Sequence, residues 1–294
     1  MAKTVNTKLV DSNEKVSFRG RAESWWSGKP IKPSPKYEAE NYAGKLDQFE
    51  IIKQYQLKGF EYGNWVNNND RYDRLEATAE SLENLAKILG TKNIGCDGKI
   101  GIAFGARGHS KALAHFEPYT FMINLTKEKG FGSLAHEYGH ALDYFFGMFV
   151  DQSREYSSLV GGHTTRMVLP LDGGSLRKQA TKIVNDITTY KGQKTATYER
   201  LEKNFAGNEY WFRRCEIFAR AFEQWIRYKM DQKAITNTFL SKRKYEAASY
   251  ILPADFKRIA PEMDKLIKEM AAFMNNKKKS ISINTAKHKT AARK

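Results

Sequence analysis

Apolar positions fall into a few clear periods along the chain. Leu75, Ala79, Leu82, Leu85 and Leu89 recur at helical spacing, with Asp70 placed to cap that helix and Gly90 to stop it. Asp47–Leu57 predicts a shorter helix before it, and GFEYGNWVNNND (59–70) an ordered loop. Three short alternating or apolar runs follow, KIGIAFG (99–105), KALAHFE (111–117) and YTFMINLT (119–126), broken by Gly108 and Pro118; they predict a small antiparallel or mixed sheet. Phe131–Phe146 reads as a helix closed at Gly147, and Ser175 opens another that Gly192 ends. Asn208 opens a long aromatic helix over 208–230, and Pro261–Met274 forms the last, with Met263, Leu266, Ile267, Met270 and Phe273 on its buried side. The pattern predicts an α+β fold with a mostly helical C-terminal half.

The ends read differently. Residues 1–45 hold Pro30, Pro33, Pro35 and the Trp25-Trp26 pair and predict an irregular arm, with one domain over 46–275. Residues 276–294 predict a flexible tail: Lys277, Lys278, Lys279, Lys287, Lys289, Arg293 and Lys294 meet no acid there. Those seven charges belong to a net +16 in 294 residues. Such a tail can contact nucleic-acid phosphates without sequence preference, or simply solubilise the chain. Cys96 and Cys215 are too few for a disulfide framework or a cysteine-rich zinc site. No apolar run suits a membrane span, and the N-terminal stretch lacks the apolar core of a secretion signal, so a reducing cytoplasm is expected.

The chemistry centres on LAHEYGHALDYFFG (134–147), where His136, Glu137 and His140 form H-E-x-x-H. On a helix, positions four apart share a face, so two imidazoles can grip one zinc ion. Glu137, next to the first ligand, can take a proton from water and pass it to a leaving amine. The alternative is a pair of core histidines satisfied by hydrogen bonds. A catalytic zinc needs a third protein ligand. Asp143, three residues past His140 on the same helix, suits a supporting role better. Glu216, in CEIFARAFE (215–223), is the stronger candidate. In one continuous helix Glu209, Arg213, Glu216, Arg220, Glu223 and Arg227 form a single charged stripe, which fits either a solvated face of ion pairs or the wall of a polar cleft.

HEYGHALDYFFG with the downstream EIFARAFE resembles the gluzincin metallopeptidases and is distantly similar to the protease domain of anthrax lethal factor. GFEYGNWVNNNDR (59–71), FGARGHSKALAHFEP (104–118) and INLTKEKGFGSLAHEYGHALD (123–143) resemble the large polyvalent-protein-associated domain of phages and conjugative elements. The resemblance spans about 59–225. It implies a zincin-like fold, the small sheet packed against the H-E-x-x-H helix and a Glu-bearing helix. It implies His136, His140 and Glu216 as zinc ligands and Glu137 as general base. It also implies a phage or mobile-element protein acting on a host or phage protein in the bacterial cytoplasm, in counter-defence or packaged in a virion.

Zinc peptidases also use a tyrosine or histidine to stabilise the oxyanion. Tyr210 is the candidate by proximity to Glu216, although on one helix it would lie about 120° around and about 9 Å along. Tyr198 is no better supported. The Arg107-Gly108-His109 turn and His115 match the resembled pattern; an arginine and a histidine near the cleft can bind substrate carbonyls or a carboxylate, while structural hydrogen bonding is the simpler role for them. His163 reads as an exposed loop residue and Cys215 as buried and inert. The expected activity is zinc-dependent peptide hydrolysis, with an extended substrate pairing beside 119–126. The alternative is a basic nucleic-acid-associated or virion-packaged interaction protein with a structural or decayed zinc site.

Overall fold

A computed structural model describes residues 5–6, 44, 46–64, 66, 68–106, 113–126, 130–152, 157–168 and 174–276. The arm (bar Val5–Asn6 and residue 44), the Arg107-Gly108-His109 turn, residues 169–173 and the basic tail from Lys277 lie outside the described residues. The fold is α+β. The chain divides into two compact units, 1–137 with 229–243, and 138–228 with 244–294. The division falls inside the H-E-x-x-H helix.

The first unit is built on a mixed sheet. Its strands are β1 (Val5–Asn6), β2 (Phe60–Tyr62), β3 (Gly101–Phe104), β4 (Ala114–Glu117) and β5 (Met122–Leu125), in the order β1-β2-β3-β5-β4. β2, β3 and β5 run parallel, while β1 and β4 close the two edges antiparallel. Strands buried on both faces need continuous apolar runs, and Gly101–Phe104 supplies one. The sheet corrects two expectations. Residues 60–62 are a strand rather than loop, because Phe60 and Tyr62 stack on Phe104 at 6.0 and 5.3 Å. β5 is paired on both sides by β3 and β4, so it offers a substrate no edge; among the described residues β4 is the edge strand beside it.

Helix α1 (Gln48–Tyr55) starts where Asp47 accepts from the Phe49 and Glu50 amides, an N-cap that satisfies otherwise orphaned donors. Helix α2 (Asn68–Leu89) begins two residues before Asp70, which therefore sits in the first turn and does not cap it. Its apolar stripe of Leu75, Ala79, Leu82, Leu85 and Leu89 is buried, and it ends at Gly90.

Helix α3 (Leu134–Phe145) carries H-E-x-x-H and does not stop at Gly147. It widens into a π-helical stretch, Phe146–Asp151. A side chain at Gly147 would collide with the Ser157 carbonyl at 2.6 Å, so this glycine serves a close backbone approach rather than a helix end. Helix α4 (Ser175–Thr188) ends four residues before Gly192. Gly192 instead turns, with Lys191, the hairpin of β6 (Thr189–Tyr190) and β7 (Gln193–Lys194), both residues taking positive φ.

Helix α5 (Ala196–Phe205), not expected from the sequence, follows the Thr195 N-cap. The long aromatic helix is in fact two elements. Asn208 caps a 3₁₀ turn, Glu209–Phe212, and α6 (Arg214–Gln232) begins after Arg213, whose ψ of 134° breaks the helix. Helix α7 (Pro253–Asn275) opens at Pro253, eight residues before Pro261, because Pro253 takes the first-turn position a proline favours. It packs on α4, and Asp255 fastens it to α5 by accepting from the Thr197 amide and hydroxyl at 3.0 and 2.7 Å.

Gly139 sets how closely α3 meets α6. A Cβ there would lie 3.2 Å from the Ala219 Cα and from Phe222. Gly139→Val should cost about 1–3 kcal/mol through overpacking, read as a lower midpoint in denaturant unfolding.

Candidate metal centre

His136 and His140 stand one turn apart on α3, and Glu216 lies in the first turn of α6. One ligand atom from each of the three falls within 4.8 Å of the others. His140 Nε2 is 3.4 Å from Glu216 Oε1. His140 and Glu216 are each only 8% exposed, and His136 is half-buried. Two imidazoles and a carboxylate at this mutual distance could hold a metal ion. The donor set fits zinc, which takes nitrogen and oxygen ligands at about 2.0–2.2 Å. Glu137 is buried beside His136. Both acids occupy the first turns of their helices.

The start of α3 is held by main-chain bonds. The Gly132 and Ala135 amides donate to the carbonyls of Phe239 and Leu240, each at 2.9 Å. Asn237 shapes that acceptor turn by accepting from the Phe239 and Leu240 amides.

Glu216 reaches the histidines through the segment 157–164. Asp143, fully buried on α3, accepts from the Val160 amide at 3.1 Å and is also hydrogen-bonded by Ser158 and Leu159. Arg177 of α4 donates to the carbonyls of Ser158 and Leu159 and pairs with Asp151. Arg214 of α6 donates to the carbonyls of Val160 and Thr181. The amides of Arg214 and Cys215 then donate to Thr164 and Gly162, each at 3.0 Å. These two bonds fix the first turn of α6, and with it Glu216. Asp143 thus supports the site without joining the cluster.

The break at Arg213 dissolves the six-residue stripe. Glu209 and Tyr210 belong to the exposed 3₁₀ turn, not to the helix of Glu216. The reading as a solvated face does not hold, because Glu216, Arg220 and Glu223 are all buried. Tyr210 is 40% exposed, packed edge-on against Trp211 at 5.2 Å and under the Arg213 guanidinium at 5.7 Å. Tyr198 packs on Phe212 from α5. Burial pushes the Cys215 thiol well above its ordinary value. His115 lies on β4, 3.4 Å from Glu117 and 3.5 Å from Asn124.

His163 is a residue that sequence reasoning passed over as a loop histidine. It is exposed, but its backbone is clamped between the bonds to Gly162 and Thr164 at the head of α6. Partial burial, aided by Arg213 and His140 and opposed by Glu216, lowers its basicity, so it lies within electrostatic reach of two cluster residues. A lone histidine in a Gly/Thr loop carries no local signal of this.

The family described as large polyvalent protein-associated domain 1 matches residues 203–273. The match runs from the end of α5 through α6 into α7, so it includes Glu216 but not the histidine pair. It overlaps the resembling span, 59–225, only at 203–225. Its description names neither a metal nor a reaction. No curated protein and no solved structure matches the chain. Among the described residues, no helix is long and apolar enough to cross a membrane.

Burial pushes the Asp143 carboxyl up to about 6, against lowering by His140 and by the hydrogen bonds from residues 158–160. Its folded value lies above its unfolded one. Its contribution to stability is therefore full below the ordinary carboxylate value of 3.8 and lost as pH rises through about 6. In metal-free protein, the unfolding free energy of wild type relative to Asp143→Asn should fall across that window. Denaturant titrations at stepped pH check this, and a flat difference would contradict it.

Proposed function

We propose that the protein is a zinc-dependent metallopeptidase encoded by a phage or mobile element. The observation that carries the reading is the convergence of His136, His140 and Glu216, from two helices, to within 4.8 Å. The polyvalent-protein match supports the phage or mobile-element setting. The substrate class is a host or phage protein met in the bacterial cytoplasm, with counter-defence as the role.

His136, His140 and Glu216 would hold the ion. A zinc ion so held supplies Lewis acidity toward a peptide carbonyl and a water molecule. Glu137 accepts the proton of the attacking water as oxygen adds to the carbonyl carbon, then delivers it to the amine nitrogen as the C–N bond breaks. Tyr210, exposed in the turn before α6, is the side chain proposed to donate to the developing oxyanion. An extended peptide pairs with β4, the edge strand beside β5 among the described residues, since β5 is paired on both sides.

Elemental analysis of purified protein should find about one zinc per chain, lost in Glu216→Ala. Glu137→Gln should keep the zinc and lose cleavage of a peptide library by at least about 100-fold, the usual scale for a positioned acid–base group. Undiminished turnover by Glu137→Gln would remove the mechanism. Salt-dependent DNA binding without any cleavage would favour the nucleic-acid-associated alternative.

A further inference from the structure

Tyr198, Glu202 and Ala206 follow at intervals of four along α5 and its C-cap, so they line up on one face. That face borders a groove of about 370 Å³, whose lining is completed by Glu209 and Phe212 of the 3₁₀ turn and by Thr165. All of these residues belong to the second unit. The volume falls in the usual range of binding sites, roughly 300–1,000 Å³. Tyr198 and Phe212 meet edge to face at 5.7 Å and make an aromatic corner. Two carboxylates stand with it. Glu202 is held by Lys194, whose Nζ lies 2.8 Å from both carboxylate oxygens and 5.9 Å from the centre of the Tyr198 ring. Glu209 is exposed, and among the described residues it has no ion-pair partner.

Lys194 shows on this chain what the corner takes: an ammonium shared between a carboxylate and an aromatic ring. One internal lysine balances one acid, and Glu209 remains for a cation from outside. An anionic occupant would face Glu209, and a wholly apolar one would cover its carboxylate without a partner. The charge of the whole chain sharpens the choice. At a net +16 the molecule repels basic groups except where a local acid meets them. We propose that this groove binds a lysine or arginine side chain of a protein partner; resting on the peptidase reading above, that side chain belongs to the substrate, and the groove is a specificity subsite. The elbow that sets Glu216 also builds the groove. Phe212 leads through Arg213 into the first turn of α6, and Thr165 follows the Thr164 carbonyl that holds the Arg214 amide.

The test uses full-length protein carrying Glu137→Gln and supplemented with zinc, in which peptides stay intact during titration. The probes are fluorescein-labelled alanine peptides with a central arginine, lysine or citrulline, followed by fluorescence anisotropy. Citrulline keeps the length of arginine and lacks its charge. The arginine and lysine peptides should bind about 3–10-fold more tightly than the citrulline peptide, the scale of an exposed ion pair with a ring contact. Adding Glu209→Gln should reduce that preference to less than about 2-fold. Adding Lys194→Met, which frees Glu202 for the incoming cation, should instead raise the preference about 2–5-fold. Opposite effects at two exposed positions separate the groove from a general loss of folding. Equal binding of the arginine and citrulline peptides overturns the proposal, as does a preference that both substitutions leave unchanged. Cation-selective binding, with a wild-type chain that cleaves nothing in a peptide library, keeps the groove and removes the peptidase reading.

Discussion

Three consecutive peptide units, Ser158 to Val160, hold the candidate site in place. Asp143 receives hydrogen bonds from this segment, and Arg177 and Arg214 donate to its carbonyls. A buried main chain that formed neither helix nor sheet would be expensive with its polar groups unmet. Three buried charged side chains meet them here. They come from α3, α4 and α6, so the same contacts that satisfy the segment fix where those helices stand. The first turn of α6 follows directly, through the Arg214 and Cys215 amides.

The cost of this scheme is visible in the ionisation of its acid. Asp143 accepts several hydrogen bonds, each favouring the carboxylate, and still has its value raised because its burial outweighs them. The arrangement trades some stability for a defined approach of α6 to α3. Gly139 makes the complementary contribution by leaving room for Ala219 and Phe222 at the crossing.

Much of this was legible in the chain, and the remainder divides along the range of the interactions. His136 and His140 were legible because helical spacing alone puts them on one face. The short helix from Asp47, the α2 stripe and β3 to β5 are likewise set by neighbours in sequence. Glu216 was legible only as one acid of three, since its partners lie about 75 residues upstream. The break at Arg213, the burial of Arg220 and the enclosure of β5 between β3 and β4 come from tertiary contacts that no local period records. Gly147 and Gly192 show the same limit: in sequence each marks a helix stop, and in the fold each serves a contact or turn instead.

The bonding of the Ser158–Val160 segment also constrains the chemistry. The Val160 amide donates to the Asp143 carboxylate and the Leu159 amide to the Asp143 main-chain carbonyl, each at 3.1 Å. Many hydrolases meet the charge that develops on a carbonyl oxygen with a pair of such main-chain donors. In this segment both donors are already taken by Asp143, one by its carboxylate and one by its main-chain carbonyl. On the proposed peptidase reading these two amides are therefore not spare for such a charge, and the task falls to side chains such as Tyr210, which a single substitution can remove.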